Sequence, residues 1–246
     1  MPCYKFVREN VPCLLFAVLL SGCAATGKLS QSPWKVSSTK EFVAKTPPPP
    51  ARNSPAMRKG LREILAIQAG ATPEKIASAR WTYEFSVFTF SLALGPSFTE
   101  KNYPRTARIF GKLNALVARV NDGVKDYYRS PHPFQVDSRV KRFVIAIPGY
   151  DYPSFHSARC AVFERVLTIL DPARAGEFRA TSHRVEQDRV FAGEHFPYSI
   201  VAGSNLGEMI FKELMQDPNF RADVAALKSS EWTPPPDSRN SFQAGG

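Results

Sequence analysis

The segment from Pro104 to Tyr128 constrains the fold more than any other stretch of this sequence. Its apolar residues recur at the spacing of one helical face, at Ile109, Leu113, Leu116, Val117 and Val120. Such spacing, sustained over this length, predicts one long amphipathic helix that buries this face in a core. Lys125, near the C-terminal end of the segment, is expected to project from that helix.

Other stretches show helical periodicity or helix-capping signals and follow one another with short links. We predict helices from Met57 to Gln68, Thr72 to Leu94, Ser157 to Leu170, Asp171 to Phe191, Tyr198 to Met215 and Pro218 to Lys228. The segment from Arg142 to Ile147 is rich in β-forming residues, but a single short strand without a partner is unstable, so an extended loop is favoured. The sequence therefore predicts an all-α fold, a single-domain helical bundle.

The chain divides by composition into four parts. Its 246 residues are enough for one well-packed domain, which we place at residues 53–232. Residues 1–22 have the features of a signal peptide. Residues 23–52 are rich in Ser, Thr, Lys and Pro and are expected to form an extended tether. Residues 233–246 are expected to be a disordered tail.

The predicted signal peptide ends in a motif that resembles the lipobox of bacterial lipoproteins. Lys5 and Arg8 precede an apolar run, too short to span a bilayer, that leads through Leu-Ser-Gly to Cys23. In a lipobox the cysteine becomes the acylated first residue, so we expect a lipid anchor at Cys23 that holds the domain at a membrane. Ala24 beside it favours the periplasmic face of the outer membrane. The alternative is an ordinary secretory signal with Cys23 near its cleavage site.

The charge balance favours anionic partners. The formal net charge of +10 falls to +9 when the two basic residues and one acidic residue of the signal peptide are removed. Such a chain suits a phosphorylated small molecule, anionic lipid headgroups or another anion. Nucleic acid is disfavoured, because the basic residues are scattered rather than gathered in one run with aromatics. With Cys23 acylated, Cys160 is the only thiol left, which excludes an internal disulfide.

Three patches between Lys125 and His195 keep the spacing of a known phosphate-binding signature. They are KDYYRSPHP, which starts at Lys125; PSFH, which ends at His156; and RVFAGEH, which runs from Arg189 to His195. The patches resemble the K-x6-R-P, P-S-G-H and S-R-x5-H-x3-D motifs of bacterial class A nonspecific acid phosphatases. That family lies within the superfamily of type 2 phosphatidic acid phosphatases and vanadium haloperoxidases. The resemblance covers most of the predicted domain and implies the same all-α fold.

The resemblance implies a role for each retained residue. Lys125 and Arg189 would hold the phosphate oxygens, and Ser154 with nearby backbone amides would add neutral donors. His156 would protonate the leaving oxygen. His195 would attack phosphorus and form a phosphohistidine that water hydrolyses. We predict neither a cofactor nor a metal ion.

The most serious departure from the signature is Ser199, which stands where the family has Asp. Position 199 lies one helical turn after His195, and the family's Asp fixes the tautomer and stabilises the charged form of the histidine. A neutral replacement in the comparable protease triad costs about 10⁴-fold in rate. We expect a similar loss unless Glu194 or another carboxylate reaches the ring.

Three other departures weaken the expected phosphate site. His132 replaces an arginine and is cationic only below a pKa of about 6.5, so the site becomes pH-sensitive. Asp188 replaces a serine, and we expect its carboxylate to pair with Arg189 or repel phosphate. Phe155 replaces a glycine and would put a ring at the edge of the pocket, where it narrows access or forms an apolar wall.

Two functions follow from this pattern. The first is an envelope lipoprotein that hydrolyses phosphate monoesters, with reduced or altered activity. The second is a non-catalytic lipoprotein on the same fold that binds an anion or a partner. Vanadate-dependent halide oxidation is a weaker third hypothesis, because the changes at His132 and Asp188 reduce the contacts available to an oxyanion. The sequence predicts neither the substrate nor the oligomeric state.

Overall fold

A computed structural model of the protein describes residues 34–145 and 149–233. The predicted signal peptide, the predicted acylation site Cys23 and nearly all of the predicted tail lie outside these residues.

The described residues confirm the all-α prediction, because their regular structure is helical and includes no strand. The helices are α1 (Thr39–Lys45), α2 (Pro55–Ala69), α3 (Pro73–Tyr83), α4 (Ser91–Leu94), α5 (Pro104–Tyr128), α6 (Pro133–Val136), α7 (Phe155–Leu170), α8 (Ala175–Phe191), α9 (Pro197–Leu214) and α10 (Pro218–Leu227). Single turns of 3₁₀-helix cover Val87–Phe90 and Pro172–Arg174, and a π-helical turn covers Lys228–Trp232. Within the described residues, no helix combines the length and hydrophobicity needed to cross a membrane.

Helix α7 is the centre of the bundle and packs against α5, α8 and α9. It is buried on nearly every side, which explains why its sequence is apolar around the whole helix. Two glycines of α9 let it approach α7 closely. A Cβ at Gly203 would lie 2.3 Å from the carbonyl oxygen of Ser154, and one at Gly207 would lie 2.4 Å from that of Ala158. This contact brings the start of α9 beside the N-terminus of α7.

The predicted extended tether over residues 23–52 is wrong for the part that is described. Trp34 and Phe42 are fully buried in the main core, and the indole nitrogen of Trp34 donates to Asp223 at 2.9 Å. Helix α1 packs so closely on α5 that a Cβ at Gly123 would collide with the side chain of Thr39. The overall composition of this segment is polar, so it does not indicate that Trp34 and Phe42 are buried. Their burial stabilises the packing of the segment on the domain.

The proline run that follows α1 also lies against the domain. The hydroxyl of Tyr152 donates to the carbonyl of Pro47 at 2.5 Å, and that of Tyr128 donates to the carbonyl of Thr46 at 2.6 Å. The rings of the two tyrosines contact each other, with centroids 5.5 Å apart, so both bonds hold the segment at one place on the domain.

The helix predicted from Thr72 to Leu94 is interrupted after Tyr83. Ser86 caps the next turn by accepting from the amide of Phe88 at 3.2 Å, and the carbonyl of Phe85 accepts from Arg159 at 3.1 Å. These contacts stabilise a non-helical backbone at this point, which the spacing of apolar residues does not predict. The break places the Tyr83 carbonyl at the end of α3, 3.0 Å from Nε2 of His156.

Candidate active site

The three sequence patches converge on one buried region. Lys125 projects from the last turns of α5, as predicted, and its amine donates to the carbonyl of Tyr150 in the loop before α7. The next residue of that loop, Asp151, lies 3.0 Å from the ring of His195, which follows α8. The N-terminus of α7 therefore meets the end of α5 and the turn between α8 and α9.

That turn is fixed by Gly193. Helix α8 ends at Phe191, and the amides of Glu194 and His195 both return to the carbonyl of Arg189, at 3.2 and 3.4 Å. Gly193 has a φ of 74°, and a Cβ there would lie 2.5 Å from the carbonyl oxygen of Lys141. Only glycine fits this position without strain, because a left-handed backbone and a close backbone contact coincide.

Asp151 takes the place of the carboxylate that Ser199 lacks. It is fully buried, and its Oδ1 lies 3.0 Å from His195 Nδ1 and accepts from the amide of Phe196 at 3.2 Å. Its Oδ2 accepts from the hydroxyl of Ser199 at 2.5 Å. Glu194, the other candidate, pairs instead with Arg142 at 3.2 Å. The carboxylate thus reaches the histidine from the loop before α7, while the serine on α9 orients that carboxylate.

The contact with Asp151 sets the tautomer of His195. An ionised carboxylate only accepts hydrogen bonds, so Nδ1 carries the proton and Nε2 keeps its lone pair. Burial lowers the pKa of His195 well below its usual range, and Lys125 and Arg189 lower it further. Burial raises the pKa of Asp151 to about 6, so the carboxyl is ionised at neutral pH. The result is a neutral imidazole with a free Nε2 beside a fixed negative charge.

Lys125 is a buried cation whose pKa is lower than usual. Its amine donates to the carbonyl of Tyr150 and lies 3.4 Å from that of Asp151. Burial lowers its pKa to about 8, although Asp151 and Asp122 oppose this shift. Lys125 therefore keeps its charge at neutral pH and loses it under mildly alkaline conditions.

Arg189 is fully buried and only partly satisfied. Its Nη2 donates to Thr82 Oγ1 at 2.9 Å and to the carbonyl of Ala79. Among the described residues, its Nε and Nη1 have no hydrogen-bond partner. Leaving buried donors of a cation unpaired is costly. The arrangement suits an anion that accepts from both nitrogens.

Asp188 does not form the direct pair with Arg189 that its sequence position suggested. Its Oδ2 accepts from the hydroxyls of Ser78 and Thr82, both at 2.8 Å. Because the Thr82 oxygen also accepts from Arg189, the carboxylate orients the arginine through this hydroxyl. The Asp188 carboxylate is thus bound by two hydroxyls of helix α3, and one of them also binds Arg189.

His132 is buried beside His195, with ring centroids 5.7 Å apart. Its Nδ1 lies 2.6 Å from the carbonyl of Glu194, which can only accept, so this nitrogen carries the proton. Burial lowers the pKa of His132 to about 4, and proximity to His195 lowers it further. His132 is therefore neutral near pH 7, and its remaining nitrogen is an acceptor. It does not replace the arginine as a donor to phosphate in that state.

A metal ion is the other ligand that this cluster could suggest. Three possible metal-ligand atoms lie within 4.8 Å of one another, one each from His132, Asp151 and His195. Both carboxylate oxygens of Asp151 already accept hydrogen bonds, however, and the charge of Lys125 lies nearby. Asp151 and its neighbours therefore form a hydrogen-bonded network, and this arrangement does not favour a metal ion.

Ser154 begins helix α7 and ties it to α9. Its hydroxyl accepts from the amide of Ser157 at 3.4 Å, and its own amide donates to the carbonyl of Ser199 at 2.9 Å. The amide of Ser154 is therefore not free for phosphate. The amides of Phe155 and His156 begin the helix and have no partner within it, as at any helix N-terminus, which favours a bound anion.

His156 faces the end of α3. Its Nε2 lies 3.0 Å from the carbonyl of Tyr83, so this nitrogen carries a proton and Nδ1 has the lone pair. Burial lowers the pKa of His156 well below its usual range, and the charges of Arg159 and Arg189 add to this effect. His156 is thus neutral until a bound anion restores its basicity.

Phe155 packs on Arg159 one turn later in α7. The guanidinium of Arg159 lies 4.2 Å from the centroid of the Phe155 ring and 4.9 Å from that of Phe85. This sandwich explains a large aromatic side chain where the signature has glycine, since the ring shields a buried cation.

The sequence predicts that the three patches lie together, but it does not predict which carboxylate contacts His195. The convergence of the three patches follows from the signature. Asp151 stands two residues before Pro153, beside the second patch, which was the one available signal. Its contact with His195 depends on the path of a loop, and no periodicity encodes that path.

Comparison with known proteins finds relatives in the family that the three patches resemble. No protein-family profile matches the sequence. Non-specific acid phosphatases of Salmonella typhi and Salmonella typhimurium are each 26% identical over 191 residues, which cover 74% of this chain and 76% of theirs.

The fold is also found in a solved structure, that of the first bacterial vanadium-dependent iodoperoxidase. It superposes with a TM-score of 0.54 at 18% identity, over 74% of this chain. The present chain spans about half of the peroxidase, 54% of its length, so this likeness concerns the fold alone. The chain thus has weak sequence similarity to bacterial non-specific acid phosphatases, and it shares its helical fold with a vanadium-dependent peroxidase, in agreement with the resemblance of the three patches.

Proposed function

We propose that the protein hydrolyses phosphate monoesters through a phosphohistidine on Nε2 of His195. The observation that carries this proposal is the buried pair of Asp151 and His195, in which Nδ1 of His195 lies 3.0 Å from a carboxylate oxygen and the lone pair is left on Nε2. The homology with acid phosphatases supports the same reaction class.

Substrate binding would use the unsatisfied donors of the site. The two free nitrogens of Arg189 and the first amides of α7 can donate to phosphate oxygens, and Lys125 adds a positive charge. These groups stabilise charge on the equatorial oxygens of the transferring phosphoryl group.

In the first step, Nε2 of His195 forms a bond to phosphorus as the bond to the leaving oxygen breaks. The proton for that oxygen would come from Nδ1 of His156, because its Nε2–H is held by the carbonyl of Tyr83. The dianionic substrate favours the protonated form of His156 that this step needs. Asp151 stabilises the positive charge that develops on the phosphorylated imidazole.

In the second step, water attacks phosphorus and the bond to Nε2 breaks. The neutral His156 left by the first step accepts a proton from that water, so it returns to its charged form. Inorganic phosphate leaves, and His195 is again neutral with its proton on Nδ1. Once phosphate has left, His156 releases this proton to water, so each residue returns to its state in the free protein.

The direct test is phosphate release from 4-nitrophenyl phosphate between about pH 4 and 8, the range in which histidines titrate. We expect turnover by the wild type, loss of turnover in His195→Ala, and a trapped acid-labile phosphoryl group on His195. His183→Ala is the matched control, because His183 is an exposed histidine on α8, outside the site. Absence of phosphate release by the wild type would refute the proposal.

A non-catalytic anion-binding protein is the second candidate. The neutral state of His132, where the signature has a permanent cation, is the observation that favours it. Calorimetric titration with inorganic phosphate separates the two functions. Binding without turnover supports the second candidate, whereas binding with turnover supports the phosphatase.

Vanadate would have a poorer fit than a transient phosphoryl group. Among the described residues that line the site, permanent charge comes from Lys125 and Arg189, and Lys125 already donates to backbone carbonyls. His132 adds no charge near pH 7. We therefore derive no step through vanadate.

We further propose that the protein acts in the cell envelope, held by acyl chains on Cys23. The supporting observation is the lipobox-like sequence that ends at this residue. Metabolic labelling with a fatty acid should mark the wild type and not Cys23→Ser. Equal labelling of the two proteins would contradict the anchor.

A further inference from the structure

A cavity beside the candidate site has the composition of a binding pocket for the non-phosphate part of a substrate. It is lined by Arg80, Tyr83, Arg142, Phe143, Val144 and Ile145 and has a volume of about 530 Å³. We call it the Tyr83 pocket. Cavities of about 300–1,000 Å³ with apolar walls and a few placed polar groups are typical of small-molecule sites.

We propose that the Tyr83 pocket binds the leaving group of the phosphate ester, and that it selects an aromatic group that carries a second acidic function. This inference rests on the proposed phosphatase function, and it adds the substrate class to it.

The position of the pocket supports a role at the leaving-group side. Tyr83 lines it, and the carbonyl of the same residue holds His156, the proposed donor to the leaving oxygen, at 3.0 Å. The rings of Tyr83 and His156 are 5.7 Å apart. Tyr83 thus contacts His156 and lines the pocket at the same time, which places the pocket one residue away from the proposed proton donor.

The apolar part of the pocket suits an aromatic group. The ring of Phe143 is stacked on that of Phe191 at 4.9 Å, which fixes it as a flat wall. Ile145 lies beside it with 87% of its surface exposed. An exposed large apolar side chain at a pocket edge gains stability when a ligand covers it.

The charged part of the pocket suits an acidic function. Nε of Arg80 donates to the carbonyl of Phe143 at 3.1 Å, and Nε of Arg142 donates to Glu194 at 3.2 Å. Each guanidinium is thereby anchored by one nitrogen, and its terminal nitrogens are the groups that a carboxylate binds in pairs. Glu84 is the acidic residue in the lining, and Arg142 already pairs with Glu194, so Arg80 is the cation that would meet an acidic function.

The test compares 4-carboxyphenyl phosphate with phenyl phosphate, which lacks the second acidic group. We expect kcat/KM to be about tenfold higher for the carboxylated ester, the effect of one charge-assisted hydrogen bond. In Arg80→Gln the ratio should fall toward one, and in Arg80→Glu it should fall below one. Arg119→Gln, at an exposed arginine on α5, is the matched control and should keep the wild-type ratio.

The outcomes separate this inference from the proposed function. A wild type that hydrolyses both esters with equal kcat/KM refutes the pocket assignment and leaves the phosphatase intact. An unchanged ratio in both Arg80 variants also refutes it. A wild type that hydrolyses neither ester refutes the phosphatase itself.

Discussion

At the scale of single residues, His195, the proposed nucleophile, has a carboxylate beside it although the signature position holds a serine. Asp151 reaches His195 from a loop, and the Ser199 hydroxyl holds the far oxygen of the same carboxylate. A serine in place of the aspartate is therefore compatible with an oriented imidazole. The two residues together provide what the family obtains from one.

Removal of the Ser199 hydroxyl should have a smaller effect than loss of the carboxylate. Ser199→Ala deletes one hydrogen bond to a charged group, so we expect kcat to fall by about 10- to 100-fold. Measurement of kcat for 4-nitrophenyl phosphate checks this value. A loss as large as that in Asp151→Asn would show that the serine itself orients His195.

Lys125 gives the activity an alkaline limit. Because burial lowers its pKa to about 8, the amine loses its charge as the pH rises through this value, and kcat/KM should fall above it. In Lys125→Arg the charge does not titrate below about pH 12, so any remaining activity should lack this limb. Identical pH profiles for the two proteins would exclude Lys125 as the titrating group.

At the scale of elements, the turn between α8 and α9 determines where His195 lies. Gly193→Ala introduces a Cβ 2.5 Å from the carbonyl oxygen of Lys141, at a φ of 74°. We expect a free energy of unfolding lower by about 1–3 kcal/mol and a reduced kcat. Urea denaturation measures the first effect and phosphate release the second.

Gly111→Ala is the control for this substitution. It is a helical glycine of α5 with no atom within 4 Å of the added Cβ. Alanine there should stabilise the protein by about 0.5–1 kcal/mol without loss of activity. If the two variants behave alike, the special geometry at Gly193 has no consequence.

The elements also show what a sequence can predict. Helix α5 has the bounds that its apolar spacing predicts, because one face is buried along its whole length. Helix α3 ends earlier than predicted, since capping at Ser86 and a distant arginine override local preference. The N-terminal segment was predicted as a tether because a few buried anchors, Trp34 and Phe42, do not change its polar composition.

At the scale of the whole molecule, the candidate site is expected to bind an anion that satisfies its buried cation. The two unpartnered nitrogens of the buried Arg189 predict that phosphate stabilises the fold. At phosphate concentrations of 100 times Kd the gain is about 2.7 kcal/mol, which raises Tm by roughly 5–10 °C for a protein of this size. Thermal unfolding with and without phosphate measures this shift.

Arg189→Met should lose the shift while the free protein stays folded, because methionine fills the space without an unpaired charge. The full phosphate-dependent shift in this variant would place the anion elsewhere. Lack of a shift in the wild type would contradict the anion site.

The overall architecture was predictable because the spacing of three patches carries the fold of a whole family. The comparison with acid phosphatases and the shared helical fold confirm it. The relocated carboxylate was not predictable, because a side chain from a loop can replace one from a helix without any trace in the spacing. A carboxylate placed in this way can contact the same histidine even though the signature differs.

The most direct test is the rate of phosphate release by Asp151→Asn compared with the wild type. Asparagine keeps the size of the side chain and removes the charge beside His195. We predict a wild type that turns over 4-nitrophenyl phosphate and a variant whose kcat is lower by about 10⁴-fold, as for a neutral replacement in a catalytic triad. An Asp151→Asn variant as active as the wild type would contradict the central role of this carboxylate.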